Sequence, residues 1–591
     1  MCGIFGFIGA GSVKQVMGGL ARLEYRGYDS AGIAYLKNGD IKAIKAKGQV
    51  ANLASLVEKA NEESCIALGH TRWATHGRPN EENCHPHISD NKMWAVVHNG
   101  IIDNYDQLKR DLKEYPFKSQ TDSEVVVALL EKMFDGNPLS TLKKVCQKLA
   151  GSYAFGVIYK GLPDRIFVAR KNSPVVVGFE DDFGLVCSDV NSLGRPCKAY
   201  VMGNDEFAVV KKGEVEIFNQ DLCPQKVELS LFAQNADMGK GEYPHFMLKE
   251  IKEIPLSIEK TVCLYNNISA FQKALPLEVL KSAKEILVVA CGTAYHASLM
   301  GKKILESRCG VRVSVEIASE FLSKPFVWDA DTLSIFVSQS GETADTLKSL
   351  RRCKQHGLKT LAITNVENSS ICFDADYVLF TSAGKEVAVA STKAYNSQIA
   401  IFHMISAYFS GEDEVLFEES RMLCEVAQTI ASLSADGVCQ EIAKEIYGSE
   451  SLYMIGRGQD YITAMESSLK LKEISYIHSE ACPAGELKHG TISLITPQTY
   501  VFAFVSEDET CKKSLSNIAE VASRGGRVIL FTPFDDVVGE FERVIVLPKV
   551  EEKYQPLIGV VYMQLVAYYT ACNLNLNPDK PRSLAKSVTV E

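Results

Sequence analysis

The chain carries a thiol at its second residue, in Met1-Cys2-Gly3-Ile4-Phe5-Gly6. Cysteine is small enough to permit removal of the initiator methionine, which leaves Cys2 with a free α-amine as well as its thiol. Such an amine titrates near neutrality and can serve as a base. A thiol with a base on the same residue is an activated nucleophile for acyl transfer. An amide attacked this way needs hydrogen-bond donors where the oxyanion develops, and Asn99 with the adjacent Gly100 could supply two. An amino-acid substrate also needs its carboxylate and ammonium held, and Arg72 and Asp122 are the candidates. Taken singly these residues have plainer readings. Asn-Gly is a common hairpin dipeptide, and Asp122 after Thr121 could cap a helix. The assignment rests on the set.

A second group of residues lies far along the chain. Ser338-Gln339-Ser340-Gly341-Glu342-Thr343 follows an apolar run and opens a helical pattern. Hydroxyls, an amide and backbone N–H groups gathered at a helix N-terminus form a phosphate cradle. The stretch lacks the lysine of a P-loop, which argues against a nucleoside triphosphate. Lys470 and Glu473 stand three apart in a helical segment and share a face. Such a pair can move a proton beside a carbonyl, though on an exposed helix it would be a minor salt bridge. His489 falls in a polar, glycine-bounded loop. Lys586, in the terminal Leu584-Ala585-Lys586-Ser587, could form a Schiff base with a ketose if the tail folds into a site.

The elements that must position these groups fall into two styles. The first ~210 residues read as short apolar runs broken by glycine turns, with a helix over 123–134. Examples are the runs at 65–69, 94–98 and 153–159. From about Glu206 to Pro244 the pattern turns polar and irregular and reads as a linker. Beyond it, strands alternate with helices and the pattern repeats. Glu285–Ala294 and Ser451–Gly458 are each a strand ending in a small-residue turn. Each is followed by later strands, at 333–338 and 360–364 in one copy and at 500–506 and 527–532 in the other. Two tandem βαβ domains with parallel sheets follow from this, and their ligands would sit beyond the carboxyl ends of the strands.

Composition agrees with a large globular protein. The 591 residues are 46% hydrophobic and 23% charged, with a net charge of −10 and no basic run, which argues against nucleic acid as a partner. Seventeen cysteines, scattered singly without a Cys-x-x-Cys pair, argue against a disulfide framework or a zinc ribbon and fit a reducing compartment. No signal peptide or membrane span is expected, so the expected location is cytoplasmic.

The stretches Tyr25–Gly32, His70–Gly77, His98–Asn104 and Thr121–Glu124, together with Cys2, resemble the class II glutamine amidotransferases. The resemblance implies an α+β four-layer αββα N-terminal-nucleophile domain over 2–210. Cys2 would form a glutamyl thioester, with its own amine as base and Asn99 and Gly100 as the oxyanion hole. Arg72 and Asp122 would hold the glutamine backbone groups, Trp73 and His76 would belong to a segment covering the site, and Arg26 to a neighbouring turn motif.

The second half is similar to sugar isomerase (SIS) domains: two α/β doubly wound parallel-sheet domains at 276–416 and 441–582. A linker and lead-in at 211–275 precede them, and a catalytic tail at 583–591 follows. The whole arrangement resembles the isomerising, glutamine-dependent aminotransferases of ketose phosphates. That implies fructose 6-phosphate held by Ser338, Gln339, Ser340 and Thr343, with Thr293, Val389 and Ala585 also on the sugar. It further implies ring opening by His489 from a neighbouring subunit, hence a homodimer, and an imine between Lys586 and C2. Glu473, aided by Lys470, would move a proton between C1 and C2, and Trp73 would help gate ammonia. No metal, nucleotide or pyridoxal cofactor is expected. The chain departs from the family's usual pattern at Ala294 and Thr491. The competing readings are another SIS-domain sugar-phosphate enzyme and a sugar-phosphate-binding regulator, and the cysteine-first domain argues against both.

Overall fold

A computed structural model describes residues 2–73, 76–232, 239–367 and 369–588. The chain divides into a first compact unit running to Gly239, which also takes in Ser587, and a second over Lys240–Lys586.

The first unit is built on two sheets, of eight and seven strands, each strand hydrogen-bonded to its neighbours. Strand Gly3–Gly9 lies inside the larger sheet, antiparallel to both Phe183–Cys187 and Ile66–Arg72. Its side chains alternate between two cores, as the period of two requires. Phe5 and Phe7 join the core that helices Ser12–Leu23 and Val50–Ala60 contribute to, alongside Val16, Leu20 and Leu53. Ile4 and Ile8 face the other way, into a core shared with Ala95, Val97, Ala154 and Val168 of the smaller sheet. The outer face of that smaller sheet, with Trp94, Val96, Phe155 and Phe167, packs on helices Glu124–Met133 and Pro138–Cys146. The layers therefore run helix, sheet, sheet, helix, as the αββα expectation has it.

The polar stretch read as a linker is different in the structure. Phe207–Lys211 and Glu214–Phe218 pair antiparallel inside the smaller sheet, and Ser230–Phe232 pairs at the edge of the larger one. Glu214 stays exposed while Val209 and Ile217 are buried, so these short strands show a charged face that hides their apolar alternation. The linker expected from 211 thus contributes strands as far as Phe232. Its later part is helical, with Met247, Ile251, Ile258 and Phe271 in the main core of the second unit.

The second unit contains two five-stranded sheets, and every pairing in them is parallel. In the first, the spatial order is Arg312–Ile317, Glu285–Ala290, Thr332–Ser338, Lys359–Thr364, Tyr377–Phe380. The second repeats it with His478–Pro483, Ser451–Gly456, Tyr500–Phe504, Arg527–Thr532, Arg543–Val546. This is a doubly wound order in which the direction of winding reverses between the first and third strands in sequence, the place where such sheets bind ligands.

Candidate functional sites

Strand parity explains why one end of the first unit gathers chemistry. Cys2 continues the inward row of Ile4 and Ile8. His70 and Arg72 continue the row of Ile66 and Leu68, and Asn99 that of Ala95 and Val97. The Trp73 N–H donates to Cys2 Sγ at 3.3 Å. The Cys2 carbonyl accepts from Asn99 Nδ2 at 3.2 Å and from Arg26 Nε at 3.3 Å, while Arg26 Nη1 also reaches Asp189 at 3.2 Å. Burial pushes the Cys2 thiol up from its ordinary value, and the Trp73 N–H and Arg72 act against that rise.

Asn99 is oriented by a residue to which the sequence assigns no role. His70 Nε2 lies 3.1 Å from Asn99 Oδ1 and 2.9 Å from the His98 carbonyl. Both partners are acceptors, so Nε2 carries the hydrogen. Burial lowers the His70 pKa to about 3, which keeps the ring neutral. The Asn99 amide is thereby fixed with its NH₂ toward Cys2. Next to it, Gly100 has φ +133°, and a Cβ there would lie 2.1 Å from the Ser152 carbonyl oxygen. That position requires glycine.

Arg72 is 3% exposed and donates through Nη2 to the carbonyls of His76 and Gly77. Its Nη1 is buried and has no hydrogen-bond partner among the described residues, a donor available for a carboxylate. Asp122, 4% exposed, accepts from Ile102 N at 2.8 Å and from Ser123 Oγ at 3.3 Å. It precedes helix Glu124–Met133, but no side-chain cap bond is made there.

In the second unit the loop after Thr332–Ser338 is a built turn. Ser338 Oγ and Thr343 Oγ1 lie 2.9 Å apart, and the Gly341 N–H donates to Ser338 Oγ at 3.1 Å. Ser340 Oγ accepts from Glu342 N at 3.2 Å, and the Gln339 carbonyl accepts from Asn365 N at 3.1 Å. Helix Ala344–Gln355 starts directly behind it. Thr293 opens helix Gly292–Cys309 beyond the neighbouring strand, so both segments sit at the winding reversal.

Lys470 is not the surface residue its helix pattern allowed. Helix Gln459–Ser475 packs between other elements, and the Lys470 side chain is 0% exposed. Its Nζ lies 2.6 Å from Glu473 Oε2, 2.9 Å from Thr293 Oγ1 and 3.5 Å from Glu466 Oε1. Burial opposes the charge on Lys470, but Glu473, Glu466 and Glu386 outweigh it and hold the ammonium above its ordinary pKa. Glu466, fully buried, also accepts from Thr293 Oγ1 at 3.2 Å and pairs with His296 Nδ1 at 2.8 Å. Neither Glu466 nor His296 stands out in the sequence.

The tail is ordered where chain ends ordinarily fray. The Asp579 carboxylate accepts from Phe246 N and Met247 N at 2.9 and 2.8 Å, and its carbonyl accepts from Val389 N at 3.1 Å. Ala585 is half-buried beside Lys586. Lys586 Nζ donates to Glu386 Oε2 at 2.5 Å and Ser391 Oγ at 3.2 Å, with its side chain 4% exposed. The last three residues of the tail, 589–591, lie outside the described residues.

Two neighbourhoods therefore gather the candidates, Cys2, Arg26, Arg72, Trp73, His76, Asn99, Gly100 and Asp122 in one unit and, with the exception of His489, the remainder in the other. His489 stands apart. It is exposed on the turn Leu487–His489, and no hydrogen bond or ion pair among the described residues ties it to Lys470, Glu473 or Lys586. Among the described residues no helix is long and apolar enough to cross a membrane.

The family model for a glutamine amidotransferase domain matches residues 43–212, and that for the SIS domain matches 279–407 and 445–574. A glutamine–fructose-6-phosphate aminotransferase (isomerizing) of Caldanaerobacter subterraneus is 44% identical over 617 residues, covering 100% of both chains. One of the same name from Thermotoga maritima is 40% identical over 616 residues, again covering 100% of both. These relatives span Cys2 and Arg26, which precede the matched amidotransferase segment. Among solved structures, the C-terminal domain of glucosamine-fructose-6-phosphate aminotransferase from Francisella tularensis is 35% identical. It covers 58% of this chain and 100% of its own, with a TM-score of 0.55.

Proposed function

The chain belongs to the glutamine–fructose-6-phosphate aminotransferase (isomerizing) family, and on that premise we propose how its residues divide the work. The reaction takes fructose 6-phosphate and glutamine to glucosamine 6-phosphate and glutamate, the entry to amino-sugar synthesis. The observation that carries the division is the pair of neighbourhoods, one built on Cys2 and one on Lys586.

In the first, Cys2 Sγ attacks the side-chain amide of glutamine. Its own α-amine takes the thiol proton and passes it to the departing ammonia, leaving a thioester that water hydrolyses to glutamate. Asn99 Nδ2 and the Gly100 N–H stabilise the oxyanion. Arg72 holds the carboxylate of glutamine and Asp122 its ammonium, with Trp73, His76 and Arg26 bordering the site.

In the second, Ser338, Gln339, Ser340 and Thr343 bind the phosphate, while Thr293, Val389 and Ala585 line the sugar. The Lys586 amine adds to C2 of the opened ketose and loses water to form an imine, from which the nitrogen at C2 is exchanged for ammonia. Glu473 then carries a proton from C1 to C2, assisted by the Lys470 ammonium. No metal, nucleotide or pyridoxal group is assigned a role in either neighbourhood.

Asn99→Ala removes one oxyanion donor and is expected to lower glutaminase kcat by about 10²–10³-fold with a smaller change in KM. An unchanged kcat would take Asn99 out of the oxyanion hole. The exposed position of His489 supports its acting in a second copy of the chain, in a homodimer. Mixing His489→Asn and Lys586→Arg chains is then expected to restore activity that neither has alone, and no recovery would count against action in trans. We assign the enzyme to the cytoplasm, on its seventeen cysteines and sugar-phosphate chemistry.

A further inference from the structure

Lys586 shares its surroundings with two buried glutamates that are treated very differently. Glu386, 5% exposed as a residue, receives a full set of donors. Lys586 Nζ and Ser391 Oγ reach its Oε2 at 2.5 and 3.0 Å, and the Thr392 and Ala394 N–H groups reach its Oε1 at 2.9 and 3.2 Å. That is the pattern of an ionised carboxylate. Glu250, on helix Phe246–Lys252, is 1% exposed and among the described residues accepts two backbone bonds. The Val387 and Ala388 N–H groups both donate to Oε1, at 2.5 and 3.2 Å. Its Oε2 is buried and has no partner among the described residues. An ionised carboxylate would leave Oε2 as a buried, charge-bearing oxygen with no donor, so this environment favours the neutral acid.

We propose that Glu250 is a positioning residue for Lys586, a protonated acid that pins the 386–391 loop through Oε1 and leaves Glu386 to hold the lysine with a single negative charge. The proposal rests on Lys586 being the imine-forming lysine. An amine must lose its proton before it attacks a carbonyl, and each carboxylate beside it stabilises the ammonium instead. One carboxylate is enough to orient the lysine. Helix Phe246–Lys252 is well placed to enforce this geometry, because its first N–H groups also bind Asp579 and so fix the tail that carries Lys586.

The charges facing Glu250 come from several elements. Glu386 lies on the loop and Lys586 on the tail. Lys393, at the start of the following helix, is paired with Glu253 at 2.7 Å. Asp579 sits at the other end of the Glu250 helix, with Lys240 at 3.7 Å. Burial first, then Glu386, raise the Glu250 pKa well above the usual carboxylate range, against the pull of Lys586 and Lys393. While the acid is neutral, Glu386 is the negative charge that Lys586 faces from this pair. Ionisation of Glu250 in alkali adds a second.

The test is the pH profile of amino-sugar formation by the full-length enzyme, with glutaminase activity measured in parallel at each pH. E250Q, neutral at every pH and able to accept the same two backbone bonds, is expected to keep the wild-type kcat at pH 7. It should also hold that rate to higher pH than the wild type. E250A frees the loop and is expected to lower kcat about 10²-fold while changing KM for fructose 6-phosphate much less. Glutaminase activity should survive in both, which separates the effect from misfolding. The proposal is overturned if E250Q is as impaired as E250A at pH 7, or if E250Q and the wild type share the same alkaline limb. Borohydride trapping of fructose 6-phosphate on the wild type gives a separate answer. Label on a lysine other than Lys586 removes the reading on which the proposal rests, whatever the Glu250 profiles show.

Discussion

Lys586→Arg is expected to end amino-sugar formation, with a fall of about 10⁴-fold or more, while glutamine hydrolysis continues. Arginine keeps the positive charge and can keep an ion pair with Glu386, but its guanidinium stays protonated and cannot form an imine. The variant therefore separates the ion pair with Glu386 from the proposed imine chemistry of the same side chain. If Lys586 served only as a cation near the phosphate or the sugar oxygens, arginine would substitute with a modest loss. Its burial argues against that simpler role, since a 4% exposed side chain tied to a fully buried glutamate is costly to maintain for charge alone. Mass measurement of the borohydride-reduced adduct, followed by peptide mapping, checks the assignment. Survival of more than a small fraction of synthesis in Lys586→Arg would contradict it.

Cys2→Ala has the opposite signature. Glutamine hydrolysis and glutamine-dependent synthesis are both expected to disappear, again by about 10⁴-fold or more, because no other group replaces the nucleophile. The sugar half is left whole. A high concentration of ammonium salt at alkaline pH, where free ammonia is present, should then restore part of the amino-sugar product. Restoration would show that the only thing Cys2 supplies is nitrogen. The alternative outcome, a Cys2→Ala enzyme that still hydrolyses glutamine, would move the nucleophile elsewhere in the chain. Arg72 Nη1 is buried and without a partner among the described residues, and if it holds glutamine as proposed, damage there should appear mainly in KM for glutamine.

How far such assignments are legible in the letters depends on the range of the contacts. The βαβ repeat and the central strands were readable because fully buried strands show continuous apolar runs. The 207–232 strands were not, since short edge-proximal strands with glutamates on one face look like linker. Strands Arg312–Ile317 and His478–Pro483, half exposed at sheet edges, gave an equally weak signal. Cys2, Asn99 and Lys586 could be picked out because their chemistry is intrinsic to their side chains. His70, Glu250 and Glu386 could not, because each acts through a partner 29, 137 or 200 residues away. The burial of Lys470 was equally hidden. Its i,i+3 partner is local, but the elements that cover it are supplied by the tertiary fold.

In the proposed division of labour, glutamine hydrolysis at Cys2 and sugar chemistry at Lys586 serve one reaction. Purified enzyme given fructose 6-phosphate and glutamine, with both products measured over time, tests it most directly. Glutamate and glucosamine 6-phosphate should appear together in near-equal amounts. Glutamate accumulating under all conditions without any amino sugar would show that the two sites do not serve one reaction.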